Sequence, residues 1–393
     1  MRSITASSAI LQETDSRKAG WDAATALREE IGRPKAVLAY LTVNHDAPAF
    51  LAAAGEALGP DVPVIGCSTQ GIMGRGFFAE DGYIAGVMGF GGEGLEAATS
   101  HVEDIAHDTM EKGHQLGKAL RDQISVIPKL VIIHYDPLCR VDIDQLLAGL
   151  YAELPCTIVG GAASHPWGPL TTTYQYAAGR VFNEGAVAIA MAGDFIVESA
   201  ISAGCSPVGI EMEVTAAEGN MILELDGLAA ADVWKSVAGS ATQTGGDQTA
   251  ALSVGVPATG DGATGGYLVR AAFGFTEDGA AILQAPIPEG TDVMLFHRTF
   301  EDALDGSTAM AQDLAARLGG KTITAVLGLE CGGRTKPFLG IDTCRRENDA
   351  LQEILGEDGA WLGLLPWGEI HPIGGKPRFN NYTYPMLVIA EGS

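Results

Sequence analysis

The sequence predicts an α/β protein in which repeated strand-helix-strand units form mixed sheets in two domains, and three observations carry that expectation. An apolar strand, a helix and a second apolar strand ending in glycine occur once near the amino terminus and again further on. The landmarks Pro34 and Pro128, and Gly66 and Gly160, are the same 94 residues apart, and two landmarks sharing one offset argue for an internal duplication. A third, fainter copy closes the chain. At 393 residues with 47% apolar and 19% charged side chains, the chain is long enough for two or three buried cores.

Taken in order, residues 3–10 alternate as a first strand. Asp15 or Ser16 can cap a helix through Trp21, Ala24, Leu27 and Ile31 that stops at Gly32. PKAVLAYL reads as a buried strand, 47–58 as a helix, and VPVIGCSTQGI as a strand with a glycine turn. The second copy repeats this as LVIIHY, a helix over 141–153, and CTIVGGAAS, so the copies cover about 33–95 and 127–195. EDGYIAGVMGF closes the first as NEGAVAIAMAG closes the second, which holds about nine extra residues, assigned to one more strand in TTTYQYAAGRVF. GFGGEG at 89–94 satisfies the spacing of a dinucleotide fingerprint, but LEAATSHVE after it reads as a strand, so a hairpin turn is expected. His101, His107 and His114 lie in the polar segment between the copies and are expected to be solvated.

SPVGIEMEVTAAEGNMILELDGLAA gives two short strands around 218–220, then a helix start. Residues 238–266, rich in Gly, Ala and Thr, read as a loop with at most a short strand and as a flexible cover. YLVRAAFGFTEDGAAILQAPIPEGTDVMLF gives three strands. A boundary near 225–235 follows, dividing 1–228 from 229–393. The closing copy comprises TITAVLGL, a helix over 346–355, AWLGLLPWGEI and YTYPMLVIA, with Gly368-Glu369-Ile370 matching Gly71-Ile72.

The formal charge of −25 opposes phosphate backbones and anionic lipid, so neither nucleic acid nor a membrane surface is an expected partner. The first residues lack a signal-peptide core, and no run nears the ~18 apolar residues of a spanning helix. A cytoplasmic location is expected. The six cysteines are scattered without paired metal spacing, which points to reduced thiols in core packing.

Candidate chemistry concentrates in three places. In PWGEIHPIGGKPRFNNYT, Gly368 allows a sharp turn from which Glu369 and His371 leave the sheet edge side by side, with Trp367 as an apolar wall. The alternative is a tight turn with a satisfied glutamate. In CGGRTKPFLG, Gly332 lets the main chain approach a ligand and Arg334 offers a fork to a carboxylate. With Glu369 it would suit a zwitterionic small molecule; otherwise Arg334 pairs with Glu369 or Glu347 as a structural ion pair. Cys67-Ser68-Thr69 before Gly71 has the look of a nucleophile turn, and an enzyme using Cys67 or Cys331 is the rival class of function. His134 stands where the first copy has Tyr40, either as core or as a pocket ligand. His134, His165, His371 and Cys331 are the donors that a haem iron could use.

In order along the chain, PVIGCSTQGI, CTIVGGAAS, SPVGIEMEVTAAEGNMILELDGLAA, the PIPEG phrase, LGLECGGR and GEIHPIGG with FNNYT resemble the FIST family of intracellular sensory domains, amino- and carboxy-terminal parts together, over about 33–391. The resemblance implies ligand sensing rather than turnover, and regulation of a partner histidine kinase or cyclic-di-GMP enzyme by a free-standing chain or its homodimer. One similar group consists of nitric-oxide sensors that hold haem b; an amino-acid-type ligand is the other expectation. Carried over by motif, the family's glycine turns fall on Gly66, Gly71, Gly160 and Gly161, its Cys-x-x-Arg on Cys331 and Arg334, its glutamate on Glu369, and its Asn-x-Thr on Asn381 and Thr383. The chain departs from the family pattern in reading Asn380-Asn381 and in placing His371 where glycine is usual.

Overall fold

The computed structural model describes residues 4–166, 172–241, 252–356 and 358–392. The first helix, Ser16–Ile31, begins where the Asp15 carboxylate accepts from the Arg17 and Lys18 amides and ends at Gly32 with φ 72°. Strand Ala36–Leu41, apolar throughout and buried at all six residues, runs parallel to Val64–Ser68 across helix Ala47–Leu58. A run buried on both faces is what a central parallel strand requires.

This unit occurs three times, and each time the chain runs strand, helix, strand, helix, strand, two-stranded hairpin, strand. The sheets do not close within a unit. In the first sheet the order is Thr5–Leu11, Ala85–Gly91, Ala36–Leu41, Val64–Ser68, and then the hairpin Gln175–Ala177 with Arg180–Phe182 from the second unit. The second sheet holds Glu96–Glu103, Gly185–Ala192, Leu130–Tyr135 and Thr157–Ala162, closed by Glu369–Ile373 with Lys376–Asn380 from the third. The third sheet holds Phe195–Ser202, Tyr384–Glu391, Ile323–Leu329 and Ala360–Leu364, closed by Ile72–Gly74 with Phe77–Ala79 from the first. Each unit thus lends its hairpin to a neighbour, in a circle.

One core joins the three sheets: Leu38 and Tyr40, Ile132 and Val187, and Leu327 and Leu362 belong to a single buried cluster. The opposite faces are covered by helix pairs, Ser16–Ile31 with Ala47–Leu58, Thr109–Arg121 with Ile143–Glu153, and Phe300–Leu318 with Ile341–Leu355. Between Ser202 and Phe300 the third unit is interrupted by a further sheet ordered Cys205–Glu218, Asp292–Arg298, Leu252–Pro257, Tyr267–Phe275, Ala281–Leu283, Met221–Leu225. Pairing of Val214 with Leu225 returns the last strand to the first and closes a six-stranded barrel, filled by Val214, Val254, Leu295 and Trp234 of helix Ala230–Ala241.

The α/β class with mixed sheets stands, and several elements need correction. TTTYQYAAGRVF supplies a hairpin rather than one extra strand, and the first unit has the same hairpin at 72–79. The turn at 92–94 joins strands of two different sheets, Ala85–Gly91 and Glu96–Glu103, instead of making a hairpin. The polar segment contains helix Thr109–Arg121, where His114 pairs with Glu153 at 3.1 Å. Helix Phe300–Leu318 was not expected, and residues 205–218 form one long strand. Of the expected flexible cover, 242–251 lie outside the described residues, and Leu252–Pro257 is a barrel strand. Among the described residues no helix is long and apolar enough to cross a membrane.

Candidate ligand site at the junction of the units

The chain leaves the second parallel strand of each unit in a turn, and the three turns meet. Where they do, glycine lets the strands approach: a methyl group on Gly66 would stand 1.8 Å from the Ala39 carbonyl oxygen, and one on Gly160 the same distance from that of Ile133. The Ser164 hydroxyl donates to the Leu365 carbonyl at 2.5 Å and accepts from the Gln70 amide at 2.8 Å. The Ser164 amide donates to Ser68 O at 3.0 Å, Leu365 N to Thr69 Oγ1 at 3.1 Å, and Ala162 N to Gly368 O at 2.9 Å. Ser68 and Thr69 are fully buried in this ring. Gly66, Cys67, Ser68, Thr69, Gly71, Gly160 and Gly161 therefore hold the units together. Burial pushes the Cys67 thiol far above its usual range, which removes the thiolate a nucleophile needs.

Outside that ring lies a second layer. Trp367 is half-buried, donates its indole N–H to Gln70 Oε1 at 2.9 Å, and packs edge-on against His165 with ring centres 4.2 Å apart. The Gln70 amide donates to Glu80 at 2.9 Å and to Gly332 O at 3.0 Å. Gly332 N in turn donates to Pro366 O. The barrel reaches the same point: Gln284 donates to the Trp367 carbonyl at 2.5 Å and accepts from Asn381 at 2.9 Å, while Asn381 accepts from the Ala271 amide at 3.1 Å. Arg298 lies over the Tyr382 ring at 3.8 Å and over Phe338 at 4.1 Å, and donates to Gly333 O at 3.3 Å.

Glu369 sits beneath this layer, fully buried. It accepts from the Gly368 amide at 3.1 Å and from both the amide and the hydroxyl of Thr383 at 3.0 and 2.8 Å. Burial outweighs these bonds and the contact with Cys331, and pushes its carboxyl up to about 8. The Cys331 thiol is pushed up as well, by burial and by Glu369. A carboxyl raised in the native state holds a proton that the unfolded chain releases near 4.5, the ordinary value of a glutamate. The stabilisation it lends is therefore present in acid and lost as pH rises toward 8. The difference in urea midpoint between the native protein and Glu369→Gln is expected to change steadily between pH 5 and pH 8.5; a difference that stays constant would show Glu369 ionised throughout.

Arg334 does not join Glu369. Its guanidinium is 1% exposed on its side chain and bonds Glu347 at 2.7 and 2.9 Å, Glu330 at 2.5 Å and the Ala303 carbonyl at 2.7 Å. Of the two readings of this residue, the geometry is that of an ion network inside the third unit. His134 Nδ1 donates to the Gly161 carbonyl at 3.0 Å, and its Nε2 hydrogen-bonds with Tyr40 Oη, also at 3.0 Å. Tyr40 and His134, 94 residues apart, meet across the central core. His165 bonds the Pro166 carbonyl at 2.8 Å, and His371, buried, has neither ring nitrogen at hydrogen-bonding geometry. A haem iron needs an axial nitrogen facing a slot for the porphyrin. Both nitrogens of His134 are engaged, and the three residues are 0, 3 and 4% exposed. As arranged, they do not fit the group.

Sequence reasoning did not single out Gln70, Arg298, Gln284 or Tyr382. Gln70 could have been found, since it stands 94 residues before its partner Ser164. The other three come from the barrel or its contacts, and no local pattern marks them.

Two family models match the chain, the FIST N domain over residues 35–228 and the FIST C domain over 230–372. The chain belongs to the FIST family. FIST domains are sensory domains of signal transduction. Relatives of similar length include an uncharacterized protein of Mycobacterium tuberculosis, 25% identical over 394 residues with 96% of this chain and 97% of the relative covered. Another, from Mycobacterium bovis, is 24% identical over 397 residues with 96% of each covered. Among solved structures, a cyanuric acid hydrolase from A. caulinodans aligns over 99% of this chain and 100% of its own, at 10% identity and a TM-score of 0.38, too low to bear on activity.

Proposed function

We infer that this FIST protein is a cytoplasmic sensor that takes a small ligand in the layer around Trp367 and conveys its occupancy to a partner histidine kinase or cyclic-di-GMP enzyme. The observation that carries the reading is convergence. Gln70 of the first unit, His165 of the second, Trp367 of the third and Gln284 and Arg298 of the barrel all reach one place. A ligand there touches every body of the molecule and can bias their arrangement through differential contacts. An amino-acid-type molecule suits the mix of Arg298 cation, Gln70 and Gln284 amides and Trp367 wall better than haem does. In this reading Arg298 replaces Arg334 as the group that meets a carboxylate.

The test is a thermal-shift and visible-absorption survey of the native protein against the common amino acids and against haem with and without nitric oxide. A ligand that prefers the folded state stabilises it by about 2.7 kcal/mol at a hundredfold excess over Kd. An amino-acid class should raise Tm in the native protein and fail to do so in Trp367→Ala. A Soret band that moves with nitric oxide would replace this ligand with haem b. No shift with any compound would sink the sensor reading of this layer.

A further inference from the structure

The barrel is inserted through a neck formed by Ser202 to Cys205 on one side and the start of helix Phe300–Leu318 on the other, and this neck holds an open cavity of about 400 Å³. Ser202, Gly204, Thr264, Asp302 and Gly306 are among its walls. Ser202 is 5% exposed and its hydroxyl has no hydrogen-bond partner. That hydroxyl lies against Gly306, where a methyl group would stand 2.6 Å from Oγ. A buried hydroxyl left without a partner costs free energy unless something satisfies it.

The charge of the cavity is one-sided. Asp302 brings a carboxylate whose own bond is to the Ser206 hydroxyl at 3.2 Å, and a carboxylate has room for several donors. No lysine or arginine lines the space among the described residues. An anion entering it would meet Asp302 within a chain of net charge −25. An ammonium, with three donors and no acceptor, matches a cavity whose walls carry a carboxylate and the hydroxyls of Ser202 and Thr264.

We propose that the neck cavity is a second binding site, for a small organic cation carrying a primary ammonium group. Asp302 takes the charge, Ser202 and Thr264 accept the remaining N–H bonds, and the glycines at 204 and 306 leave the space. The site is wired to the junction by a single residue pair. Cys205, in the cavity wall, stands opposite Arg298 in the strand register, and Arg298 reaches Gly333 beside Cys331. Filling the neck fixes the strand that carries Arg298, so the cation regulates the layer around Trp367.

The experiment uses the full chain and three probes of one size, n-propylammonium chloride, sodium propionate and 1-propanol, followed by backbone amide NMR at Gly204, Gly262 and Gly306. Saturable shifts with propylammonium, and none with the other two, are expected. Asp302→Asn, which keeps an acceptor for Ser206, should weaken binding roughly tenfold or more, the size of a lost charge-assisted bond. Ser202→Ala should weaken it by about fivefold while leaving the fold intact, since it removes an unsatisfied group. Equal responses to all three probes, or unchanged affinity in Asp302→Asn, overturn the proposal. Trp367→Phe leaves the neck intact, so its response there separates the fate of this site from that of the junction.

Discussion

Replacing Arg334 by methionine is expected to destabilise the protein by about 3–5 kcal/mol, the cost of leaving buried carboxylates without their cation. Arg334 is the sole guanidinium bonded to Glu330 and Glu347 among the described residues, and Ser307 adds a hydroxyl to Glu347. Burial and the neighbouring Glu347 push the Glu330 carboxyl upward, which makes its charge dependent on the Arg334 partner. The measurement is equilibrium urea unfolding of Arg334→Met and of Arg334→Met combined with Glu347→Leu. The double variant should recover part of the loss, because it removes one of the two buried carboxylates that the single change leaves without a cation, Glu330 remaining. A single variant within 1 kcal/mol of the native protein would mean that water reaches this network.

The second large effect is expected at the two glycines of the parallel strands. Gly160→Ala and Gly66→Ala each place a methyl group 1.8 Å from a backbone carbonyl oxygen, and backbone in the middle of a sheet cannot step aside. A loss above ~4 kcal/mol, or failure to fold, is the expected outcome. Gly55→Ala is the control: it lies in helix Ala47–Leu58 with nothing within 4 Å, and should stabilise by roughly 0.5–1 kcal/mol through helix propensity. Soluble, native-like Gly160→Ala protein would contradict the close pairing of Ile133 with Gly160.

Much of this fold was legible in the sequence because the apolar period and the glycine offsets repeat. Strands such as Ala36–Leu41 and Leu130–Tyr135, and the helix at 47–58, appear where their patterns place them. Residues related by the shared offset also touch, Tyr40 with His134 and Gln70 with Ser164. What could not be read was which sheet each hairpin joins. Ile72–Gly74 and Ala360–Leu364 pair through alternation that any apolar edge would satisfy, so register carries no address in one sequence. Arg334 read equally as a ligand fork and as the ion partner of Glu369 or Glu347; the packing of helix Ile341–Leu355 on the third sheet selects Glu347, and Glu330 joins it from four residues before Arg334. Trp367, Glu369 and Thr383 were legible as neighbours, because Trp367 and Glu369 stand at the entry to one hairpin and the last strand begins just after Thr383.

The circular exchange of hairpins has a consequence for how the molecule comes into being. Strand Ile72–Gly74 pairs with Ala360–Leu364, so the first unit's hairpin has no sheet to join until nearly the whole chain has left the ribosome. At about 5–20 residues per second, the interval is on the order of tens of seconds. During that time the edge of a half-built sheet is open to other chains, and contacts so distant in sequence form slowly once they can. A cell that makes this protein must shelter an unfinished ring, and cutting the chain anywhere between the units leaves every fragment with a sheet it cannot complete.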